Sequence, residues 1–160
     1  MTASSLPNDL VAALTDPQIL TITLFGETRG EPIEGQIAVG CVIRNRVHSG
    51  RWGGSYAKVC LAPWQFSSWL PQGGRANYEL VMETARQMAT STQLPDDPLL
   101  RQCAWVSQGI IGAWIIDTVK DATHYYAPAA MAPKGAVPKW AVGRTPVVSK
   151  GQHLFFVGVA

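Results

Sequence analysis

The sequence predicts an α+β fold that is mainly helical, with a small β-rich subregion at its C-terminal end. Apolar residues recur at helical spacing through most of residues 15–116. After Asp117 the sequence consists of short apolar segments separated by turns rich in Gly and Pro. Short apolar segments of this kind are typical of strands. At 160 residues, 47% of them hydrophobic, the chain can bury one core without disulfides. We therefore expect one domain over residues 1–160, with a lead-in at 1–14, a helical core at 15–116 and short strands and loops at 117–160.

The first helix is predicted from its start signal. Residues 1–14 are expected to be a partly ordered lead-in, after which Asp16 as N-cap and Pro17 at the first helical position predict a helix. The segment 20–24 alternates like a strand, but its two leucines share a helical face with Glu27. The cap, together with the Gly and Pro residues that follow Glu27, favours a helix.

The second helix is predicted to begin at Pro32 and to run through residues 33–47. This segment is apolar almost all round, which is typical of a buried central helix, and we expect its end near Arg46. Glu27 and Glu31 lie at the junction between the two helices. A carboxylate at a helix end among apolar residues is where an acid with a raised pKa can be built, and spacing alone does not distinguish the two glutamates.

The remaining segments alternate between loops and clear helical patterns. Residues 49–74 are rich in Gly and aromatic residues, and a loop of this length in a compact domain is usually functional. Residues 75–90 form an amphipathic stripe. Residues 99–116 read as a mostly buried helix with a break at Gly109 or Gly112. Short strands are expected in 122–126, 140–148 and 153–159.

Composition and charge exclude several classes of protein. A formal net charge of +2 without a run of Lys or Arg argues against nucleic-acid binding. The apolar stretch 103–116 is too short and too polar to cross a membrane. The N-terminal stretch lacks the pattern of a signal peptide, so synthesis in a bacterial cytoplasm is expected. The cysteines have no paired spacing and are expected to be free thiols; they are Cys41, Cys60 and Cys103.

The segment 25–47, FGETRGEPIEGQIAVGCVIRNRV, resembles the core motif of the spore-cortex-lytic and cell-wall hydrolase family, roughly (Y/F)GEARGEPxEGQxAVxxVxxNRV. Gln65, Phe66 and Ser67 match the family's QFS loop, and 117–126 matches a segment written DPTGGATHYY. Trp140 and the closing GQHLFF match its late Trp and GxHxFY. The resemblance covers about 17–156. Departures are Thr28 for the usual Ala, Thr118 for the Pro, and Lys120 with Asp121 for Gly-Gly, which leaves the shape of the loop before His124 open.

The resemblance implies a lysozyme-like fold, cleavage of the MurNAc–GlcNAc β-1,4 bond of peptidoglycan, and Glu27 as the essential acid. A lytic transglycosylase uses one glutamate first as acid and then as base on the muramic acid 6-hydroxyl, which leaves 1,6-anhydro ends. The alternative is a hydrolysing muramidase, which needs a second carboxylate as nucleophile or base. Glu31, Glu34, Asp117 and Asp121 are candidates that the sequence does not rank. We expect Glu31 to support the turn by capping or by pairing with Arg29 or Arg44.

Substrate contacts are expected from the loop and from the strand. Gln65 can donate to an N-acetyl group and Phe66 can stack on a sugar, with Ser67 beside them, although packing of this loop against the helices is equally compatible with the sequence. His124, Tyr125 and Tyr126 alternate on a strand, so they cannot all face the cleft. We expect His124 or Tyr126 on the cleft side. Trp140 is a supporting candidate, as fit for the core as for a sugar platform.

Other functions are less compatible with the sequence. A thiol amidase needs a Cys–His pair, but no cysteine starts a helix beside a base. A metal hydrolase is disfavoured because the histidines are scattered, and neither metal nor cofactor is expected. A non-catalytic glycan-binding or virion module does not need an acid at Glu27. The absence of a leader, spore-targeting repeat or wall-binding module resembles a phage endolysin. We expect a monomer that acts on peptidoglycan strands after the membrane is permeabilised, without inserting in it.

Overall fold

A computed structural model describes residues 8–91 and 93–160. Part of the expected lead-in, residues 1–7, lies outside the described residues, whereas residues 8–12 form a short helix. The described elements are, in order, α1 Asn8–Ala12, α2 Asp16–Glu27, α3 Ile33–Ser49, α4 Tyr56–Cys60, α5 Arg75–Thr90, α6 Pro98–Ile111, β1 His124–Tyr126, β2 Val148–Lys150 and β3 His153–Phe156. The prediction of a mainly helical α+β fold with a small β-rich end is confirmed.

Helix α2 lies at the centre of the domain and packs against α4, α5 and α6. Every residue from 19 to 25 is buried. The two threonines in this run can be buried because each hydroxyl donates to a carbonyl one turn earlier, Thr21 to Pro17 and Thr23 to Ile19, both at 2.7 Å. The sequence prediction gave the central place to α3. That helix is largely buried, but α2 contacts more of the other elements.

Helix α2 begins one residue earlier than predicted. Thr15, not Asp16, is the N-cap: its hydroxyl accepts from the Gln18 amide at 3.4 Å, and the Gln18 side chain accepts from the Thr15 amide at 2.8 Å. This reciprocal capping box satisfies two amide donors that a free helix end leaves without partners. Asp16 instead accepts from the Ala57 amide at 3.3 Å, which attaches α4 to the start of α2.

Helix α3 begins at the predicted place, after Pro32 as N-cap, and continues to Ser49. It ends at Gly50, whose φ of 73° is the left-handed conformation that glycine adopts at helix ends. The predicted end near Arg46 was too early because the arginines there remain inside the helix. Arg44 donates to the carbonyl oxygens of Ile110 and Ile115, at 3.2 and 2.7 Å, and so caps the end of α6.

The remaining helices follow the sequence pattern closely. Helix α5 has the predicted bounds. Helix α6 ends at Ile111 with Gly112, one of the two predicted breaks, as its C-cap, so the prediction of a helix as far as residue 116 was wrong. Residues 49–74 are only partly a loop, since they contain α4 and two short 3₁₀ turns, Ser67–Trp69 and Pro71–Gly73. No helix within the described ranges is long and apolar enough to span a bilayer.

The strands form an antiparallel sheet in the order β1-β3-β2. Tyr125 pairs with Phe155, and both pack on the main core beside the helices. The opposite face of the sheet carries Tyr126 and Phe156, which pack with Trp140 in a second, smaller cluster. Of the expected strand in 140–148 only its last residue is extended as a strand, because Trp140 lies in a short turn, Lys139–Ala141.

Candidate active site

Glu27 is the last residue of α2, and its carboxylate is held by one residue from the loop. Glu27 Oε1 accepts two hydrogen bonds from Ser68, at 3.0 Å from the backbone N–H and at 2.8 Å from the hydroxyl. Gly26 allows this approach, because a Cβ at position 26 would lie 2.5 Å from the Ser68 Cβ and 2.9 Å from Val81 Cγ2. Both hydrogen bonds to Glu27 Oε1 therefore depend on close packing of the loop on α2.

The loop is anchored to α2 by the residue after Ser68. Trp69 is buried and donates its indole N–H to Thr23 Oγ1 at 2.9 Å, one turn before Glu27. Asn77, in the first turn of α5, donates to the Gly26 carbonyl at 3.1 Å and accepts from Arg29 at 2.6 Å. Helix α5 thus closes the C-terminal end of α2, where carbonyl groups lack helical partners. The acid is placed by three separate elements.

Burial raises the pKa of Glu27, and the two hydrogen bonds from Ser68 oppose this effect more weakly. Because burial is the larger of the two effects, this carboxyl group stays protonated at higher pH than an exposed one. Since Oε1 already accepts from two donors, we infer that the acidic proton resides on Oε2. The resulting group can donate a proton and, after losing it, remains stabilised as an anion by Ser68.

Arg46 joins the loop to the strand on either side of this site. Its Nε donates to the Thr123 carbonyl at 2.7 Å and its Nη1 to Gln65 Oε1 at 3.0 Å. The guanidinium carbon lies 4.7 Å from the Trp52 ring centre and 5.6 Å from that of Phe66. The sequence analysis assigned no role to Arg46, although an arginine in an otherwise apolar helical segment was a signal that its side chain had buried partners.

The three loop residues predicted to contact substrate, Gln65, Phe66 and Ser67, differ in exposure and in their contacts. Gln65 is exposed and holds Arg46, whereas Phe66 is only 3% exposed and belongs to the core, so it cannot stack on a sugar as predicted. Ser67 is exposed, and its neighbour Ser68, which sequence reasoning missed, contacts Glu27. The exposed aromatic of this loop is Trp64, at 67% exposure.

The side chains of β1 lie on two faces of the sheet. Tyr125 lies on the core side, close enough for Glu27 to contribute to the raised pKa of its hydroxyl, of which burial is the main cause. His124 lies on the other face between Trp52 and Trp140, at ring-centre distances of 5.6 and 5.1 Å. Tyr126 stacks on Phe156. The pairing of Tyr125 with Phe155 fixes which face each side chain takes, so the expectation of His124 or Tyr126 on the cleft side stays a prediction.

Glu31 pairs with His153, not with Arg29 or Arg44 as expected. Its Oε1 lies 3.6 Å from His153 Nδ1, and the Glu31 side chain is 8% exposed. Gly35 and Gly151 pack against this carboxylate so closely that a Cβ at either position would collide with it. Burial lowers the pKa of His153, while Glu31 acts in the opposite direction. Glu31 is therefore enclosed in the junction of α3 with the β2–β3 turn.

Asp117 organises the turn that leads to β1. Its Oδ1 accepts from the Val119 amide at 2.7 Å, and its Oδ2 accepts from the Asp121 amide at 2.9 Å and from Asn45 at 3.3 Å. Lys120 and Asp121, which stand in place of the family's Gly-Gly, have φ values of 51° and 65°. The turn therefore keeps the left-handed backbone that Gly-Gly favours, despite the substitution.

A carboxyl group whose pKa is raised by burial, in a wall of loop and strand residues, is the arrangement of an enzyme that delivers a proton to a leaving group. The chain matches the Cell Wall Hydrolase family over residues 30–156, a segment that begins just after Glu27, and it belongs to that family. The chain has the fold of its solved relatives, which are catalytic domains.

Three relatives describe the similarity. The spore cortex-lytic enzyme of Bacillus subtilis strain 168 is 29% identical over 143 residues, which cover 88% of this chain and 37% of that protein. The catalytic domain of the germination-specific lytic transglycosylase SleB from Bacillus anthracis is 26% identical, with a TM-score of 0.59, over 88% of this chain and 92% of that domain. The catalytic domain of Bacillus cereus SleB is also 26% identical, with a TM-score of 0.55, over 88% of each chain. The chain thus spans well under half the length of the full-length curated relative.

Proposed function

We propose that this protein cleaves the MurNAc–GlcNAc β-1,4 bond of peptidoglycan as a lytic transglycosylase, with Glu27 as its single acid and base. The observation that carries the proposal is the pairing of Glu27 Oε1 with both donors of Ser68. This pairing leaves Oε2 to exchange a proton with the substrate. The Bacillus anthracis relative described as a lytic transglycosylase supports the same chemistry.

In the first step, the proton on Glu27 Oε2 passes to the glycosidic oxygen while the bond from that oxygen to the anomeric carbon breaks. Burial keeps the carboxyl group protonated before this step. As positive charge develops at the anomeric carbon, the new carboxylate is stabilised by the Ser68 N–H and O–H. In the second step, the carboxylate takes the proton of the muramic acid 6-hydroxyl, whose oxygen closes the 1,6-anhydro ring.

The hydrolysing alternative requires a second carboxylate that can activate water or attack the sugar. Glu31 is enclosed with His153, and both oxygens of Asp117 accept hydrogen bonds within its own turn. The positions of Glu31 and Asp117 therefore favour the single-glutamate route.

The test replaces Glu27 by Gln, which keeps the size of the side chain and removes the acid. Clearance of a suspension of purified cell walls is expected to fall by about 10²- to 10⁴-fold, the usual contribution of a general acid. Glu79→Gln, an exposed substitution on α5, is the matched control and should remain active. Activity of Glu27→Gln equal to that of the unaltered protein would refute the assignment.

Mass spectrometry of the released fragments distinguishes the two glycosidase chemistries. The single-glutamate route predicts 1,6-anhydro ends. Reducing ends would instead establish hydrolysis and would require a second carboxylate.

For the biological setting we propose lysis of a bacterial host by a phage, a role in which an enzyme of the Cell Wall Hydrolase family would act on the host's wall. In this proposal the enzyme acts as a monomer on the wall, after cytoplasmic synthesis and membrane permeabilisation. Expression in a bacterium should then be harmless until a membrane-permeabilising agent is added, and lysis should follow the addition. Lysis before the addition would contradict this setting.

A further inference from the structure

An open groove beside the active site has an aromatic and aliphatic floor and a positively charged rim. Its volume is about 430 Å³, and its lining residues are Trp52, Ala57, Lys58, Leu61, Ala62 and Pro63. Two guanidinium groups flank the indole of Trp52, with their carbons 4.6 Å (Arg51) and 4.7 Å (Arg46) from its ring. The aliphatic stem of Lys58 packs against Gly53, where a Cβ would lie 2.7 Å from it.

The positive charges at this rim are not neutralised by carboxylates. None of the ion pairs among the described residues involves Arg51 or Lys58. Arg51 donates instead to the carbonyl of Val159 at 2.8 Å. Since like charges this close repel each other, an anion bound here would relieve the repulsion as well as gain its own contacts.

His124, whose ring lies near that of Trp52, also has arginines in its surroundings. Its ring lies 5.6 Å from that of Trp52, and its pKa is lowered to about 4, first by burial and then by Arg46, Arg51 and Arg144. No acidic side chain is among the groups that shift it. The groove therefore offers an indole, aliphatic side chains and the cations of Lys58 and Arg51, a set that suits a ligand with both carboxylates and aliphatic parts.

The groove is continuous with the wall that holds the acid. Arg46 contacts both Trp52 in the groove and Gln65 in the loop. Pro63 at the rim and Ser68 at the acid are five residues apart in sequence, so their separation is at most about 18 Å. A branch attached to a sugar near Glu27 can reach a site at this distance.

We propose that this groove binds the carboxylate-bearing peptide branch of the muramic acid residue, with Lys58 and Arg51 as the recognising cations. The inference rests on the function proposed above and adds a specificity to it: the enzyme prefers glycan strands that carry peptides. Both side chains are exposed. The preference should therefore act on substrate binding and not on the chemical step.

The experiment compares two substrates that differ only in the branch: glycan strands with their peptides, and the same strands after an amidase has removed the peptides. The double variant Arg51→Gln with Lys58→Gln is expected to raise KM roughly fivefold on the peptide-bearing strands, as two exposed charge pairs allow. On stripped strands KM and kcat should stay unchanged. Lys58→Arg should retain the preference, and Arg86→Gln, an exposed cation on α5, is the matched control.

Several outcomes would overturn the proposal. Equal cleavage of both substrates by the unaltered protein would overturn the groove assignment while leaving the glycosidase function in place. Cleavage of neither substrate would overturn both proposals. An equal rise in KM on both substrates, or the same rise for Arg86→Gln, would indicate general attraction to the wall. A preference that disappears when phosphate polymers are stripped from the wall, with peptides intact, would assign the groove to those polymers instead.

Lys58→Gln alone, at a side chain that donates to no structural partner in the described ranges, separates lost recognition from any disturbance at Arg51.

Discussion

Replacement of Ser68 by Ala removes one of the two donors to Glu27 and leaves the other. The hydroxyl at 2.8 Å is lost, and the backbone N–H at 3.0 Å remains. A hydrogen bond to a charged group contributes about 1.5–3 kcal/mol, and 1.36 kcal/mol corresponds to one pKa unit. Because the hydroxyl favours the carboxylate form, its removal must raise the pKa of Glu27 further.

The expected result is an upward movement of the alkaline limb of the pH–rate profile by about one pH unit, the lower end of that range because Glu27 is only partly buried. At the pH optimum kcat should fall by about tenfold, since the carboxylate formed in the first step is less stabilised. The assay is kcat/KM for cell-wall fragments over a series of buffers, with kcat measured at saturation.

Ser107→Ala is the matched control. Ser107 is also buried, and its hydroxyl donates to the Pro17 carbonyl at 3.1 Å, at the opposite end of α2 from Glu27. The ten residues between Pro17 and Glu27 correspond to about 15 Å of helix, so this change should leave the pH profile unmoved. An unshifted alkaline limb in a stably folded Ser68→Ala protein, or a shift toward acid pH, would refute the role given to this hydrogen bond.

Three further predictions concern packing, backbone and pH. Gly26→Ala should destabilise the fold by about 1–3 kcal/mol in urea and reduce kcat, since the new Cβ displaces Ser68; unchanged values of both would contradict the close packing. Lys120→Gly should raise the free energy of unfolding by about 0.5–1 kcal/mol with activity retained, because φ is 51° there; a loss of stability would contradict it. The pKa of His124 falls from 6.5 to about 4 on folding, so the unfolded chain binds more protons between these values and stability declines as pH drops through them. Tm measured across this window should decline less for His124→Asn, and an equal decline would exclude His124 as a source.

The local elements could be predicted because their signals lie within a few residues. The apolar stripe of α5 and the break of α6 at Gly112 each depend on residues within one or two helical turns. Both were found at predicted positions. The helix-end position of Glu27 follows from the same kind of signal. Even the error at the start of α2 was a single residue, because Thr15 and Asp16 are both good caps and only the Gln18 side chain decides between them.

The surroundings of the acid could not be predicted in this way, because they depend on residues distant in sequence. Ser68 is 41 positions from Glu27, and Trp69 is 46 positions from its partner Thr23. The sequence pointed to the right loop but placed the contact at its neighbours, one of which, Phe66, is in the core. In this loop, buried and exposed side chains alternate from residue to residue between Gln65 and Ser68. An error of one position therefore exchanges a buried side chain for an exposed one.

The sequence by itself determined the helical composition, the corner at which α2 ends, and, through the family motif, which of two glutamates is the candidate acid. Periodicity, caps and glycines act over one or two turns, so these features are local. Only the tertiary structure decided that Ser68 holds Glu27, that Arg46 ties the loop to β1, and that Tyr125 faces the core. Those choices arise from the pairing and packing of distant segments, where the surroundings of each side chain, including what can shift a pKa, are set by residues from elsewhere in the chain.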